Sequence, residues 1–328
     1  MIFMDDLEYC WSMLPKVSRS FAVCIPELPE ITKDNVMISY LVCRIVDTIE
    51  DSSLRNIKQK IKQLDYFNDI LSRKITNPEK EFLEEIAGFT NNLYEADLMR
   101  NTSRVLNILF SNEFPEDIKE SVLYWTREMI QGMKEFLEKE IVSIKDQDKY
   151  CYYAAGTVGH MLTEIYRFNG HINLEKFSKI EKLSDNFALG LQKVNIIKNL
   201  REDFKNERRY WPSDLMKNQG ILYEDLFNNN GKALIILNKL VKNAQQHLDK
   251  ALEYILIIPE KQEKLRIFNE IPLFLATATL SECYNNQRLF FEDVKISKSK
   301  LEEVLKKSRR YCRSNQDIKN YYASLISR

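Results

Sequence analysis

Glycine and proline are scarce: each occurs only 8 times in 328 residues, well below ordinary usage, which leaves room for few turns and implies long elements. The six cysteines (Cys10, Cys24, Cys43, Cys151, Cys283, Cys312) contain no CxxC spacing and sit mostly in apolar runs, so buried free thiols are expected rather than a disulfide framework. Net charge is also lacking. Lys plus Arg equals Asp plus Glu at 48 each, so nothing in the balance favours nucleic acid or an anionic membrane. Met1-Ile2-Phe3-Met4 runs at once into Asp5-Asp6, without the basic start of a signal peptide. The longest uncharged apolar stretches, such as Ile271 to Leu280, are about half of what a bilayer requires. These absences predict a cytoplasmic protein without a transmembrane segment, at most peripheral at a membrane surface. No Gly/Ser linker and no solenoid repeat divides the chain, which predicts a single domain over 1–328.

What the sequence does contain is helical periodicity from end to end, with no convincing alternating strand, so the expected class is all-α. The pattern predicts helices near 34–51, 54–74, 79–94, 97–110, 115–142, 149–168, 174–204, 230–256, 262–285 and 298–325. Most prolines fall between these segments. Pro272 falls inside one and predicts a kink or a break.

Two acidic clusters lie about half a chain apart: Asp47-Thr48-Ile49-Glu50-Asp51 and Asn199-Leu200-Arg201-Glu202-Asp203. Each sets polar groups at i, i+3 and i+4, on one face of a helix. Apolar sequence precedes both, and carboxylates on a buried helix face need a counter-charge, for which a hard divalent cation is the natural candidate. Two such helices facing each other could hold Mg²⁺ ions that grip a diphosphate. Either cluster alone could equally be a solvated acidic face. Arg44 lies one turn before Asp47, placed for phosphate or for orienting the carboxylate. Ser18-Arg19-Ser20-Phe21 offers hydroxyls and a guanidinium at a helix start, as a cap or an anion site. Lys205 to Pro212 reads as a basic flap over diphosphate or as a solvated loop.

Ser18-Arg19-Ser20-Phe21, the segment Tyr40 to Asp51, Tyr150 to Gly159 and Leu191 to Lys198 together resemble the squalene synthase/phytoene synthase family, in its order and spacing, from about Cys10 to beyond Lys298. Met129 to Leu137, with Gly132 as its small residue, matches the helix before the tyrosine motif. Ala276 to Gln287 with Val294-Lys295-Ile296 resembles the C-terminal signature of squalene synthases proper, which phytoene and dehydrosqualene synthases generally lack. The resemblance implies a class I isoprenoid synthase helical bundle around a central cavity. It implies an Mg²⁺-dependent prenyltransferase that joins two farnesyl diphosphates head to head into presqualene diphosphate, then rearranges and reduces it to squalene with NADPH.

Carried over residue by residue, Asp47, Glu50, Asp51, Asn199, Glu202 and Asp203 look like the metal site, with Asp47, Asp51, Asp203, Arg44 and Tyr150 in the chemistry. Ser18, Arg19, Ser20, Arg44, Gln192, Asn195 and Arg208 look like substrate contacts, and Ala155 and Gly156 like a helix wall kept small for isoprenoid chains. Phe268, Lys295 and Asn195 correspond to NADPH positions. Without the motif, Tyr150 would be one of 16 tyrosines, more naturally core or surface. The chain departs from the family in three places. Asn199 stands where the second motif begins with Asp, offering a neutral oxygen and predicting weaker metal affinity. Lys198 replaces an arginine, and Ser297 replaces a basic residue of the VKI element, which bears on NADPH. Two rival functions follow: a same-fold prenyltransferase without reduction (giving dehydrosqualene, phytoene or presqualene diphosphate), and a non-catalytic isoprenoid-binding partner. A lipid product suggests peripheral membrane contact for its release.

Overall fold

The structure is a computed structural model that describes residues 2–18, 20–228 and 231–326. It is all-α: among the described residues there is no strand. The chain divides into two compact units, Met1–Lys139 with His160–His171, and Glu140–Gly159 with Ile172–Arg328. The chain passes from one to the other at 139–140, 159–160 and 171–172, so neither unit is one continuous segment.

The first unit is organised around the helix Glu30–Glu50, against which Ile2–Val17, Ile57–Leu71, Leu93–Arg100, Thr102–Leu109 and Glu116–Glu138 pack. Its run Val36, Met37, Ile38, Leu41, Val42, Ile45, Val46 and Ile49 is buried on nearly every side, as expected of a helix apolar all round. Ile57–Leu71 starts from a capping box in which Asn56 accepts from the Gln59 amide and the Gln59 side chain accepts from that of Asn56.

In the second unit the long helix Leu174–Lys198 packs against Gly231–Ile257, Glu263–Cys283 and Ile144–Cys151. Glu263–Cys283 in turn carries Lys298–Tyr311 and Asn315–Ile326. Gly190 lets the two longest helices approach closely, because a Cβ there would sit 2.8 Å from Leu248 Cδ2 and 3.2 Å from the Leu248 nitrogen.

Several expected boundaries shift. Ile2–Val17 is helical where no helix was expected, and so is Ser213–Gln219. The segment expected at 97–110 is interrupted at Asn101, and that at 298–325 at Cys312–Ser314. Pro272 does not break its helix, which runs on from Glu263 to Cys283. Proline in a helix interior costs about 3 kcal/mol, and the burial of almost every side chain from Leu265 to Leu280 outweighs it. All six cysteines are free and buried, as expected. No helix among the described residues is long and apolar enough to cross a membrane.

Candidate active site

In the first unit the acidic motif closes the helix Glu30–Glu50. Asp47 lies in its last turn, and Asp51 is the C-cap residue, its amide donating to the Asp47 carbonyl at 2.8 Å. This is the negative end of the helix dipole, where anions are disfavoured and cations favoured. Burial pushes the Asp47 carboxyl up to about 7. Arg44 opposes that rise, while Asp51 and Glu95 add to it. Glu50 is buried, and its backbone carbonyl accepts from Lys60 Nζ at 2.7 Å.

Arg44 pairs with Glu95, whose other oxygen accepts from Thr90 Oγ1 at 2.7 Å. Burial would lower the guanidinium, but Asp47, Tyr40 and Glu95 around it outweigh burial and raise it. Its Nε is buried with no hydrogen-bond partner among the described residues. A cluster that holds several carboxylates near the negative end of a helix is short of positive charge. Its donors are hard oxygens of the kind Mg²⁺ takes, but among the described residues no group of three or more such side chains comes together to hold an ion. Glu95 was not foreseen: it follows the Asn92 cap of Leu93–Arg100, and only its contact with Arg44 brings it into the group.

Ser18 is buried, and its Oγ accepts from the Phe21 amide at 3.0 Å, so here the hydroxyl serves the turn. Ser20 is exposed and makes no side-chain cap, and the helix it precedes, Phe21–Cys24, is only four residues long. Arg19 lies outside the described residues.

In the second unit Tyr150 sits near the end of Ile144–Cys151, a helix started by a capping box between Ser143 and Asp146. It is buried and stacks on Tyr210, with ring centroids 4.7 Å apart and planes 22° from parallel. The helix then widens into a π-helical turn, Tyr152–Gly156, a geometry often found at functional sites. Ala155 is half-buried on that turn, and Gly156 has no room for a Cβ, which would meet Tyr152 Cδ2 at 2.9 Å and Asp185 Oδ1 at 3.3 Å.

Gln192 is half-buried and Asn195 exposed on Leu174–Lys198. That helix ends at Asn199 and resumes as Leu200–Lys205, yet the ladder persists: Asn199 N–H donates to Asn195 O at 3.0 Å, and Asp203 N–H to Asn199 O at 2.9 Å. Asp203 is buried and ion-paired with Arg208 Nη2 at 3.1 Å, whereas Glu202 is exposed. The basic segment is a folded turn. Glu207 takes φ +60°, letting the Arg208 amide reach back to Asp203 O at 2.8 Å, and Arg209 lies 4.1 Å over the Phe204 ring. Trp211 is buried and donates to Ile196 O at 3.4 Å.

The residues expected to meet NADPH are placed apart in character. Phe268 is only 1% exposed, sealed within Glu263–Cys283, while Lys295 is exposed and bound to Asp293 Oδ2 at 2.9 Å. Ser297 caps the helix Lys298–Tyr311, its Oγ accepting from the Lys300 amide at 3.1 Å. That gives its hydroxyl a local structural role.

The sequence model of the squalene/phytoene synthase family matches residues 14–302. A squalene synthase of Dictyostelium discoideum is 34% identical over 297 residues, covering 90% of this chain and 68% of that protein. A squalene synthase of Botryococcus braunii is 33% identical over 315 residues, covering 91% and 63%. This chain thus spans about two thirds of the length of these relatives. Among solved structures, the complex of TcSQS with the ligand BPH1237 superposes with a TM-score of 0.86 at 28% identity, covering 98% of this chain and 91% of that one. A dehydrosqualene synthase shares the fold at a TM-score of 0.65 and 21% identity.

Proposed function

The chain belongs to the squalene/phytoene synthase family, and on that premise we propose that it condenses two farnesyl diphosphates head to head, with squalene as the end product. The observation that carries the reading is the Asp47 cluster. Its half-buried carboxyl, raised to about 7 by desolvation with Asp51 and Glu95 adding to the rise, would gain from an added cation, although the described residues form no ready group of three ligands.

When bound, Mg²⁺ would neutralise diphosphate oxygens and ease the loss of that group from the allylic carbon. Asp47, Asp51 and Glu50 would hold it in the first unit; Asp203, Glu202 and the neutral Asn199 oxygen would do so in the second. Arg44 and Arg208 would bind diphosphate oxygens, with Arg208 exchanging its hold on Asp203 for the substrate. Ser18, Arg19 and Ser20 would add donors. Tyr150, with its ring held by Tyr210, would present its hydroxyl in one orientation toward the developing cation, a preorganised dipole rather than a mobile one. Gln192 and Asn195 would add polar contacts. Ala155 would leave room for the prenyl chain, while Gly156 would let the turn pack closely against Tyr152 and Asp185.

Reduction would require a hydride donor, NADPH. The sealed Phe268 and the Lys295 already paired with Asp293 do not make a cradle for it. Those same observations favour a second reading, a prenyltransferase that stops before reduction.

Incubating the purified protein with farnesyl diphosphate and Mg²⁺, with and without NADPH, and analysing the extract by mass spectrometry separates the two. Squalene only with NADPH supports the first reading. Presqualene diphosphate or dehydrosqualene in both samples supports the second. Tight substrate binding without turnover would instead mean a non-catalytic partner.

A further inference from the structure

Lys193 is a lysine with 2% exposure in the apolar run Leu191 to Ile197, one residue after Gln192 and two before Asn195. Its ammonium is fully used. Nζ lies 3.0 Å from Gln147 Oε1, 2.6 Å from Asn243 Oδ1 and 2.5 Å from Asp148 Oδ1. It donates hydrogen bonds to Gln147 and Asn243, and the ion pair with Asp148 supplies the balancing charge.

Gln147 extends the network. Its Oε1 must face Lys193, which can only donate, so its Nε2 is free to donate to the Tyr210 carbonyl, 2.9 Å away. Tyr210 is the residue whose ring stacks on Tyr150. A continuous path therefore runs from the Lys193 ammonium through the Gln147 amide to the Tyr210 backbone and on to the Tyr150 ring. Gln147 and Tyr150 also share the helix Ile144–Cys151, one turn apart, so Lys193 holds that tyrosine from both sides: through its helix and through its stacking partner.

We propose that Lys193, acting through Gln147, is a positioning residue that fixes the Tyr150–Tyr210 stack. It touches neither substrate nor metal. The inference rests on the reading of Tyr150 given above, and the test separates the two.

Gln147→Leu cuts the link to Tyr210 while keeping the side-chain volume similar, and Lys193→Arg tests whether another cation can serve. The full chain is used throughout, with amide hydrogen exchange as the first readout. Gln147→Leu should raise exchange at residues 208–211 while the helices of the first unit keep their protection. Turnover is the second readout: a stack misplaced by about an ångström costs on the order of 100-fold in kcat. KM for farnesyl diphosphate should change little, because binding is left intact. In a Tyr150→Phe background the added Gln147→Leu loss should shrink to a small residue, because both changes act on one group. Lys193→Arg should recover part of the rate.

Unchanged exchange at 208–211 in a folded Gln147→Leu protein would overturn the inference, as would losses that simply multiply in the double variant. Full turnover by Tyr150→Phe alone would instead overturn the role assigned to Tyr150, a failure visible without any change at Gln147.

Discussion

Glu270 makes the stability of the second unit dependent on pH in a direction opposite to that of an ordinary paired carboxylate. It is fully buried in Glu263–Cys283, and neither carboxylate oxygen has a hydrogen-bond partner among the described residues. Arg266 lies one turn before it, equally buried, and spends one amino group on Asn315 Oδ1. Burial pushes the Glu270 carboxyl from 4.5 to about 8, and the attraction of Arg266 recovers only part of that rise. The folded state therefore keeps a proton that the unfolded chain releases above about pH 4.5. Stability falls by about 1.4 kcal/mol per pH unit as the pH rises from there to about 8, then levels off. Integrated over that window the loss is at most about 5 kcal/mol, and relaxation of the buried site brings the expected value nearer 2–3 kcal/mol. Glu270→Gln keeps the shape of the protonated acid and has nothing to titrate. Urea unfolding at about pH 5 should find the two proteins within about 1 kcal/mol, and at about pH 8.5 the variant should be more stable by several. Parallel stability curves, or a variant less stable at the alkaline end, would refute the reasoning.

Gly159→Ala should destabilise the protein by about 1–3 kcal/mol or more, read as a lower urea midpoint, because the new Cβ would lie 2.7 Å from the Ser184 carbonyl oxygen and 3.2 Å from Ala188 Cβ. Asp47→Asn should cut turnover by at least about 100-fold and abolish any rise of Tm produced by Mg²⁺, since it removes the half-buried carboxylate at the centre of its cluster. Asn199→Asp should lower the Mg²⁺ concentration needed for half-maximal turnover and tighten Mg²⁺ binding by calorimetry. An unchanged or raised requirement would count against the neutral oxygen as the cause of weak affinity.

The helices were legible because their signal is local. The 3.6-residue apolar period survives in any helix that buries one face, and it marked Glu30–Glu50, Glu116–Glu138 and Gly231–Ile257 to within a few residues. Division into units was not legible, because a linker is what sequence reveals and one of the three crossings falls inside a helix: Thr157–Phe168 begins in one unit and ends in the other. Pro272 fails to break its helix for a related reason. Its local cost is written in the sequence, while the burial of the surrounding side chains that overrides it belongs to the fold.

The candidate site shows the same boundary in chemical terms. Residue type and spacing pointed to Asp47, Asp51 and Asp203 as carboxylates of one purpose, and the structure gives each a different partnership. Asp47 is crowded by like charges and its carboxyl is driven upward, Asp51 caps a helix, and Asp203 is held by Arg208 across a five-residue turn. Ser297 read as a missing cation, because a motif records which residue stands at a position but not which hydrogen bond it makes; here it caps a helix. Lys193 went the other way. A charge inside an apolar helical run is visible in the sequence, but the two hydrogen-bond acceptors and the paired carboxylate that meet it come from two other helices, around positions 147 and 243, and no local pattern predicts them. Sequence pointed to candidate groups for meeting a ligand, since a ligand's chemistry restricts their type. It was silent on the groups that hold those in place, since almost any donor and acceptor pair could do so and only packing selects one.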